Sequence, residues 1–230
     1  MTKTKVAVVT GAAQGIGSAI ADILRTAGHT VHGVDREQVD LSQSSEVNKY
    51  FAELGEVDIL VNCAGGVVGQ THHPLEEITD ADWHAVLNAN IQTTFNCTRA
   101  VITQMKAKKW GRIVNISSGA GRSVSLTGIQ AYSTAKAAQI AFTRQMAFEV
   151  GQFGITVNCI APGFVLSNPS TIKQWESYGA EGQAKLISGI ATRRLGKASD
   201  IANGVLFFTQ ESSEWVTGQC LSIDGGHSLF

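Results

Sequence analysis

No two of the four cysteines, Cys63, Cys97, Cys159 and Cys220, stand close enough in sequence to form a C-x-x-C pair. That spacing argues against a zinc site or a disulfide framework, and for reduced thiols in a cytoplasmic protein. Charge is scarce too. Asp, Glu, Lys and Arg make up 16% of the chain and the formal net charge is −1, which leaves no basic field to attract nucleic acid or an anionic membrane. No apolar run approaches the ~20 residues needed to cross a bilayer. Val6-Ala7-Val8-Val9 is too short for the apolar stretch of a secretory signal. Prolines number three, against 24 glycines. A chain of 230 residues with 43% hydrophobic content is long enough for a substantial core. It shows no repeat, low-complexity tract or linker. The expectation is one domain over residues 1–230, of a compact α/β kind.

Short β-rich runs alternate with helical stretches, as in a doubly wound parallel sheet with helices on both faces. Strands are expected at Val6–Thr10, Thr30–Asp35, Asp58–Asn62, Arg112–Ser117, Thr156–Ala161 and Gln219–Ile223. Several are almost continuously apolar, as strands buried on both faces tend to be. Helices are expected over Gly15–Ala27, Ser45–Leu54, Asp80–Lys108, Ala131–Phe153 and Ser199–Thr209.

The first strand runs into Thr10-Gly11-Ala12-Ala13-Gln14-Gly15-Ile16-Gly17, which opens the first helix. Glycines at 11, 15 and 17 let the backbone approach a pyrophosphate, with the helix N-terminus facing the anion. The second strand ends at Asp35, roughly twenty residues past the glycines, where a carboxylate can accept hydrogen bonds from ribose hydroxyls and repel a 2′-phosphate. This favours NAD over NADP. Arg36 follows directly, and its guanidinium suits a 2′-phosphate, so NADP stays open. Asp40-Leu41 comes only five residues after Asp35. A crossover between parallel strands takes a dozen or more residues, so a loop, with at most a stub of strand around Val39–Leu41, must replace it. That edge of the sheet should be short.

Tyr132 and Lys136 are four residues apart, on one face of an expected helix. A tyrosine titrates near pH ~10, and a nearby ammonium favours the phenolate, so Lys136 is expected to pull Tyr132 down. Ser118, at the end of Ile113-Val114-Asn115-Ile116-Ser117, can hydrogen-bond a substrate oxygen, with Ser117 as the alternative. Asn62-Cys63-Ala64-Gly65 closes a strand with small residues that leave room for a flat ring or a sugar. Asn90 sits inside an expected helix, where an exposed asparagine is the ordinary reading. Phe164–Arg194, after Ala161-Pro162-Gly163, is a long connection suited to a substrate lid.

Taken in order, these landmarks resemble the short-chain dehydrogenase/reductase family along nearly the whole chain. They are Thr10-Gly11-x-x-x-Gly15-x-Gly17, Asp40-Leu41, Asn62-Cys63-Ala64-Gly65, Asn90, Ser118, Tyr132-x-x-x-Lys136, Pro162-Gly163 and Asp224-Gly225-Gly226. The resemblance implies a Rossmann-like domain and a catalytic set of Asn90, Ser118, Tyr132 and Lys136. Tyr132 would be the acid/base, Ser118 would polarise the substrate oxygen, Lys136 would bind the nicotinamide ribose, and Asn90 would hold a relay water. Cofactor contacts would come from Gly11, Gln14, Gly15, Ile16, Gly17, Asp35, Arg36, Asp40, Leu41, Asn62, Ala64, Gly65, Tyr132, Lys136, Pro162, Gly163, Val165 and Ser167. The chain departs from the family's Asn-Asn-Ala-Gly at Cys63, and carries Ser167 where a threonine is usual. The implied activity is a hydride exchange between NAD(H) and a secondary alcohol or ketone. An NADPH-dependent 3-oxoacyl thioester reductase is the alternative, and a cofactor-binding module without chemistry the least favoured. A homotetramer is also implied, formed partly through the two long helices.

Overall fold

Parallel pairing runs through six strands in the spatial order β2-β1-β3-β4-β5-β6. They are β1 (Val6–Thr10), β2 (Thr30–Val34), β3 (Ile59–Asn62), β4 (Gly111–Ile116), β5 (Ile155–Pro162) and β6 (Cys220–Ile223). The structure, a computed structural model, describes residues 4–229. Helices α1 (Gly15–Thr26) and α8 (Ala198–Thr209) cover one face of the sheet. The other face is covered by α2 (Ser44–Leu54), α4 (Thr93–Lys108) and α5 (Gln130–Val150). Period-two alternation feeds the two cores: Val8, Leu60, Ile113 and Val157 point to the α4 side. Their neighbours Val9, Val61, Val114 and Ile160 point to the α1 side. Every residue of β3, β4 and β5 is buried, which is why their sequences read as largely apolar runs. Among the described residues no helix is long and apolar enough to cross a membrane.

Two differences from the sequence expectation, and one agreement with it, bear on the site. The stretch Asp80–Lys108 is not one helix: α3 (Asp80–Leu87) passes through a π-turn at Asn88–Gln92 before α4 begins. Such bulges insert one residue into a helical turn and often mark functional positions. The connection Phe164–Arg194 is also largely helical, with α6 (Pro169–Ser177) and α7 (Gly179–Gly189). Asn168 caps α6 by accepting from the Thr171 N–H at 3.0 Å, with Pro169 at the first helical position. Phe164 then packs against Trp175 and Tyr178, which ties the segment back to its own start.

The third feature follows the residue count. Residues 35–43 form turns and no strand, so β2 is the sheet edge. The short loop still needs an anchor, and Asn96 of α4 supplies it. Its amide donates to the Leu41 carbonyl at 3.1 Å and the Ser42 carbonyl at 3.0 Å, while Leu41 itself is buried. Replacing Asn96 with Ala strands both acceptors next to the core, so we expect a loss of about 1–3 kcal/mol of stability in urea unfolding. An unchanged midpoint would mean that water satisfies those carbonyls and that the anchor is unnecessary.

Candidate active site

The carboxyl ends of β1 to β5 converge on one crevice, where a doubly wound sheet binds its ligand. Thr10, the last residue of β1, ties two ends together. Its hydroxyl oxygen accepts from the Cys63 and Ala64 N–H groups at 3.0 and 2.9 Å. Gly11 follows with φ +68°, and an added Cβ would lie 2.9 Å from the Ala64 Cα. Gly15, at φ +62°, faces the Ser167 carbonyl in the same way, so the segment after β5 reaches across to the glycine loop. A Cβ on Gly17 would strike the Gly11 carbonyl. All three glycines are therefore required by close backbone approach.

At the first turn of α1, Gln14 makes no capping hydrogen bond and no acidic residue intervenes, so its free N–H groups face the crevice. Asp35 stands next to it. Its carboxylate accepts from the Ala13 N–H at 3.2 Å and the Arg36 N–H at 2.9 Å, while the Gln38 side chain holds the Asp35 N–H at 2.9 Å. The Arg36 side chain is exposed. An uncapped helix start, a glycine cradle and a strand-end carboxylate fit a dinucleotide. Farther out, Asp40 is engaged with Ser42 and Glu46, and Leu41 is buried toward α4. Val165 packs into the α1-side core and Ile16 rests half-buried against it.

The catalytic candidates come together through the loop after β4. Ser117 donates to the Lys136 carbonyl at 2.7 Å, which leaves Ser118 as the hydroxyl at the crevice. Ser133 donates to the Ala120 carbonyl at 2.7 Å, and a Cβ on Gly121 would collide with the backbone of Lys136. These contacts seat the loop on the first turns of α5, where Ser118 lies near enough to the Tyr132 phenol to lower its pKa. Lys136 lies behind, with its Nζ 5.7 Å from the centre of the Tyr132 ring.

The electrostatics correct one expectation. Burial pushes the Tyr132 phenol above its ordinary pKa, outweighing the lowering effect of Ser118, and Lys136 does not pull it down. The reason lies in Lys136 itself: burial brings its pKa down to about 8. Cys63, in place of a second asparagine, is a half-buried thiol whose desolvation pushes its pKa up to about 12, so it stays neutral.

Asn90 corrects another. It is fully buried, not exposed, and its amide is committed: it donates to the Gly66 and Val86 carbonyls at 2.8 Å each and accepts from the Gly66 N–H at 3.1 Å. Its carbonyl accepts from both Thr93 and Thr94, at 2.8 and 3.0 Å. It holds the Gly65-Gly66 loop. A Cβ on Gly65 would run into that amide. Sequence reading passed over Thr10, Thr94 and Gln139. Gln139 had one visible signal, a long polar residue three positions after Lys136 in an otherwise apolar stretch.

Comparison with known proteins agrees with this geometry. A family model described as enoyl-(acyl carrier protein) reductase matches residues 37–228, and one described as short chain dehydrogenase matches residues 5–46. The (2S)-[(R)-hydroxy(phenyl)methyl]succinyl-CoA dehydrogenase subunit BbsD of Thauera aromatica is 35% identical, covering 99% of this chain and 98% of its own. The 3-oxoacyl-[acyl-carrier-protein] reductase FabG of Escherichia coli is 32% identical, over 96% of each chain. A short-chain dehydrogenase/reductase family oxidoreductase from Burkholderia thailandensis superposes with a TM-score of 0.88 at 29% identity, covering 98% of this chain and 93% of its own. The chain belongs to the short-chain dehydrogenase/reductase family of NAD(P)-dependent oxidoreductases acting on CH–OH groups.

Proposed function

We propose that the protein is an NAD-dependent dehydrogenase of secondary alcohols, working reversibly as a ketone reductase, with Tyr132 exchanging the proton. The carrying observation is the grouping of Tyr132 and Lys136 on α5 with Ser118 after β4, the Lys136 Nζ 5.7 Å from the centre of the Tyr132 ring. When bound, the nicotinamide takes or gives the hydride. Tyr132 accepts the hydroxyl proton in oxidation and returns it in reduction. Ser118 hydrogen-bonds the substrate oxygen and holds it against the phenol. Lys136 binds the nicotinamide ribose as a cation. Asn90 keeps the Gly65-Gly66 wall in place.

Gly11, Gln14, Gly15, Ile16 and Gly17 hold the pyrophosphate through their backbone, and Asp35 takes the adenosine ribose in preference to a 2′-phosphate. Asp40 and Leu41 border the adenine. Asn62, Ala64 and Gly65 line the middle of the crevice, and Pro162, Gly163, Val165 and Ser167 the nicotinamide end. The 164–194 segment serves as the substrate lid of a single domain. A cytoplasmic homotetramer completes the reading, supported by Phe95 on α4 and Phe148 on α5, both exposed.

A second reading has its own support. Arg36 is exposed beside Asp35, and the names of both curated relatives describe acyl thioester chemistry. It is an NADPH-dependent 3-oxoacyl thioester reductase. The test sets NAD with a panel of secondary alcohols against NADPH with acetoacetyl-CoA, following absorbance of the reduced nicotinamide. Turnover confined to the first pair supports the leading reading. Turnover confined to the second replaces it.

A further inference from the structure

Lys136 is 4% exposed, yet no carboxylate pairs with it among the described residues. The titratable groups that face it are Tyr132 on its own helix, Cys63 after β3 and Cys159 on β5. Both thiols have raised pKa values and are neutral, so neither supplies a counter-charge. The ammonium rests instead on two neutral oxygens. Nζ donates to the Ile116 carbonyl and to Gln139 Oε1, at 3.0 Å each. Ile116 offers a backbone group that any residue would provide. Gln139 offers a choice the sequence has made.

We infer that Gln139 is a positioning residue: its carboxamide, aimed by a hydrogen-bond chain to the π-turn at Asn90, holds the Lys136 ammonium charged and directed at the crevice. The inference rests on Lys136 serving as proposed above. The amide's direction is fixed by the chain itself. Thr94 donates its only hydroxyl proton to the Asn90 carbonyl at 3.0 Å, so its oxygen must accept from Gln139 Nε2, at 2.6 Å. The amide oxygen is thereby turned to Lys136. Gln139 is wholly buried and its backbone carbonyl is fixed as well, accepting from Thr143 at 2.8 Å. Thr143 in turn accepts from Asn115 at 2.8 Å. Two of the three ammonium protons are thus committed, and the third is left for the crevice.

The test is a titration of Lys136 by NMR in protein labelled at lysine Cε, with its resonance assigned by its loss in Lys136→Arg. Wild-type Lys136 should titrate near 8. In Gln139→Met, which keeps length and volume but offers no oxygen, the midpoint should fall by about one unit or more. Gln139→Glu should restore it or raise it above wild type, which a purely space-filling role would not do. Thr94→Val, which frees the amide to turn over, gives a smaller fall and carries the test if Gln139→Met does not fold. An unchanged midpoint in the folded variants overturns the inference. Full turnover in Lys136→Ala would instead refute the role of Lys136, and would leave the NMR result standing by itself.

Discussion

Replacement of Tyr132 with Phe is expected to lower turnover by about three to four orders of magnitude while leaving NADH affinity within about twofold. The expectation follows from what the substitution removes. The ring keeps its place on the first turn of α5, and Ser133, Ser117 and Gly121 still seat the β4 loop on that turn. Only the exchangeable proton is lost. A hydroxyl beside it cannot take over, because a serine is far too weak an acid and Ser118 has no base of its own in contact. Steady-state kinetics together with a fluorescence titration of NADH separates the two effects. Turnover within tenfold of wild type would refute the acid/base assignment. Loss of NADH binding along with turnover would show a structural role instead.

The same site predicts a pH profile. Tyr132 has a raised pKa, so ketone reduction, which needs the phenol protonated, should not lose this group at neutral pH. Lys136 sets the limit, because its positive charge is lost as the pH rises through about 8. Reductive kcat should therefore be flat below that pH and decline above it.

How much of this could be read from the chain depends on how local the cause is. The truncated crossover was legible because it is a matter of counting: five residues cannot span a distance that takes a dozen. The glycine loop was legible because close approach leaves glycine no substitute, as Gly17 against the Gly11 carbonyl illustrates. The π-turn was not legible. One extra residue in a turn leaves the apolar pattern of Asp80–Lys108 intact, and only the three-dimensional placement of Asn90 reveals it. The direction of the Tyr132 shift was misjudged for a related reason. Spacing four residues apart puts a cation nearby, but the outcome is decided by burial, which depends on strands from elsewhere in the chain. The network of Lys136, Gln139, Thr94 and Asn90 joins α4 to α5, and Gln139 and Thr94 stand 45 positions apart in the chain. Nothing in either segment alone announces it.

Changing Asp35 to Ser should reverse the proposed preference for NADH over NADPH, by about a hundredfold or more in the ratio of dissociation constants. In the wild-type protein the carboxylate is fixed, not floppy: two N–H groups hold its oxygens and Gln38 holds its backbone. It cannot swing aside for a 2′-phosphate. A unit charge pair at about 4 Å costs roughly 1–4 kcal/mol at the dielectric of a protein surface, and a phosphate carries nearly two such charges. Serine removes this repulsion and still offers the ribose a hydroxyl. It also leaves Arg36 exposed in the turn that follows the edge strand β2, with no carboxylate at position 35 beside it. A guanidinium in that position can take a phosphate through two parallel hydrogen bonds. The gain should therefore depend on Arg36, and Arg36→Ala in the Asp35→Ser background should abolish most of it. A double-mutant cycle on the two dissociation constants measures that coupling directly. If Asp35→Ser still prefers NADH, the discrimination lies elsewhere in the open adenine edge, and Asp35 merely caps the glycine loop through Ala13. If Arg36→Ala alone weakens NADH binding, the two side chains act together on the ribose, and the charge argument fails.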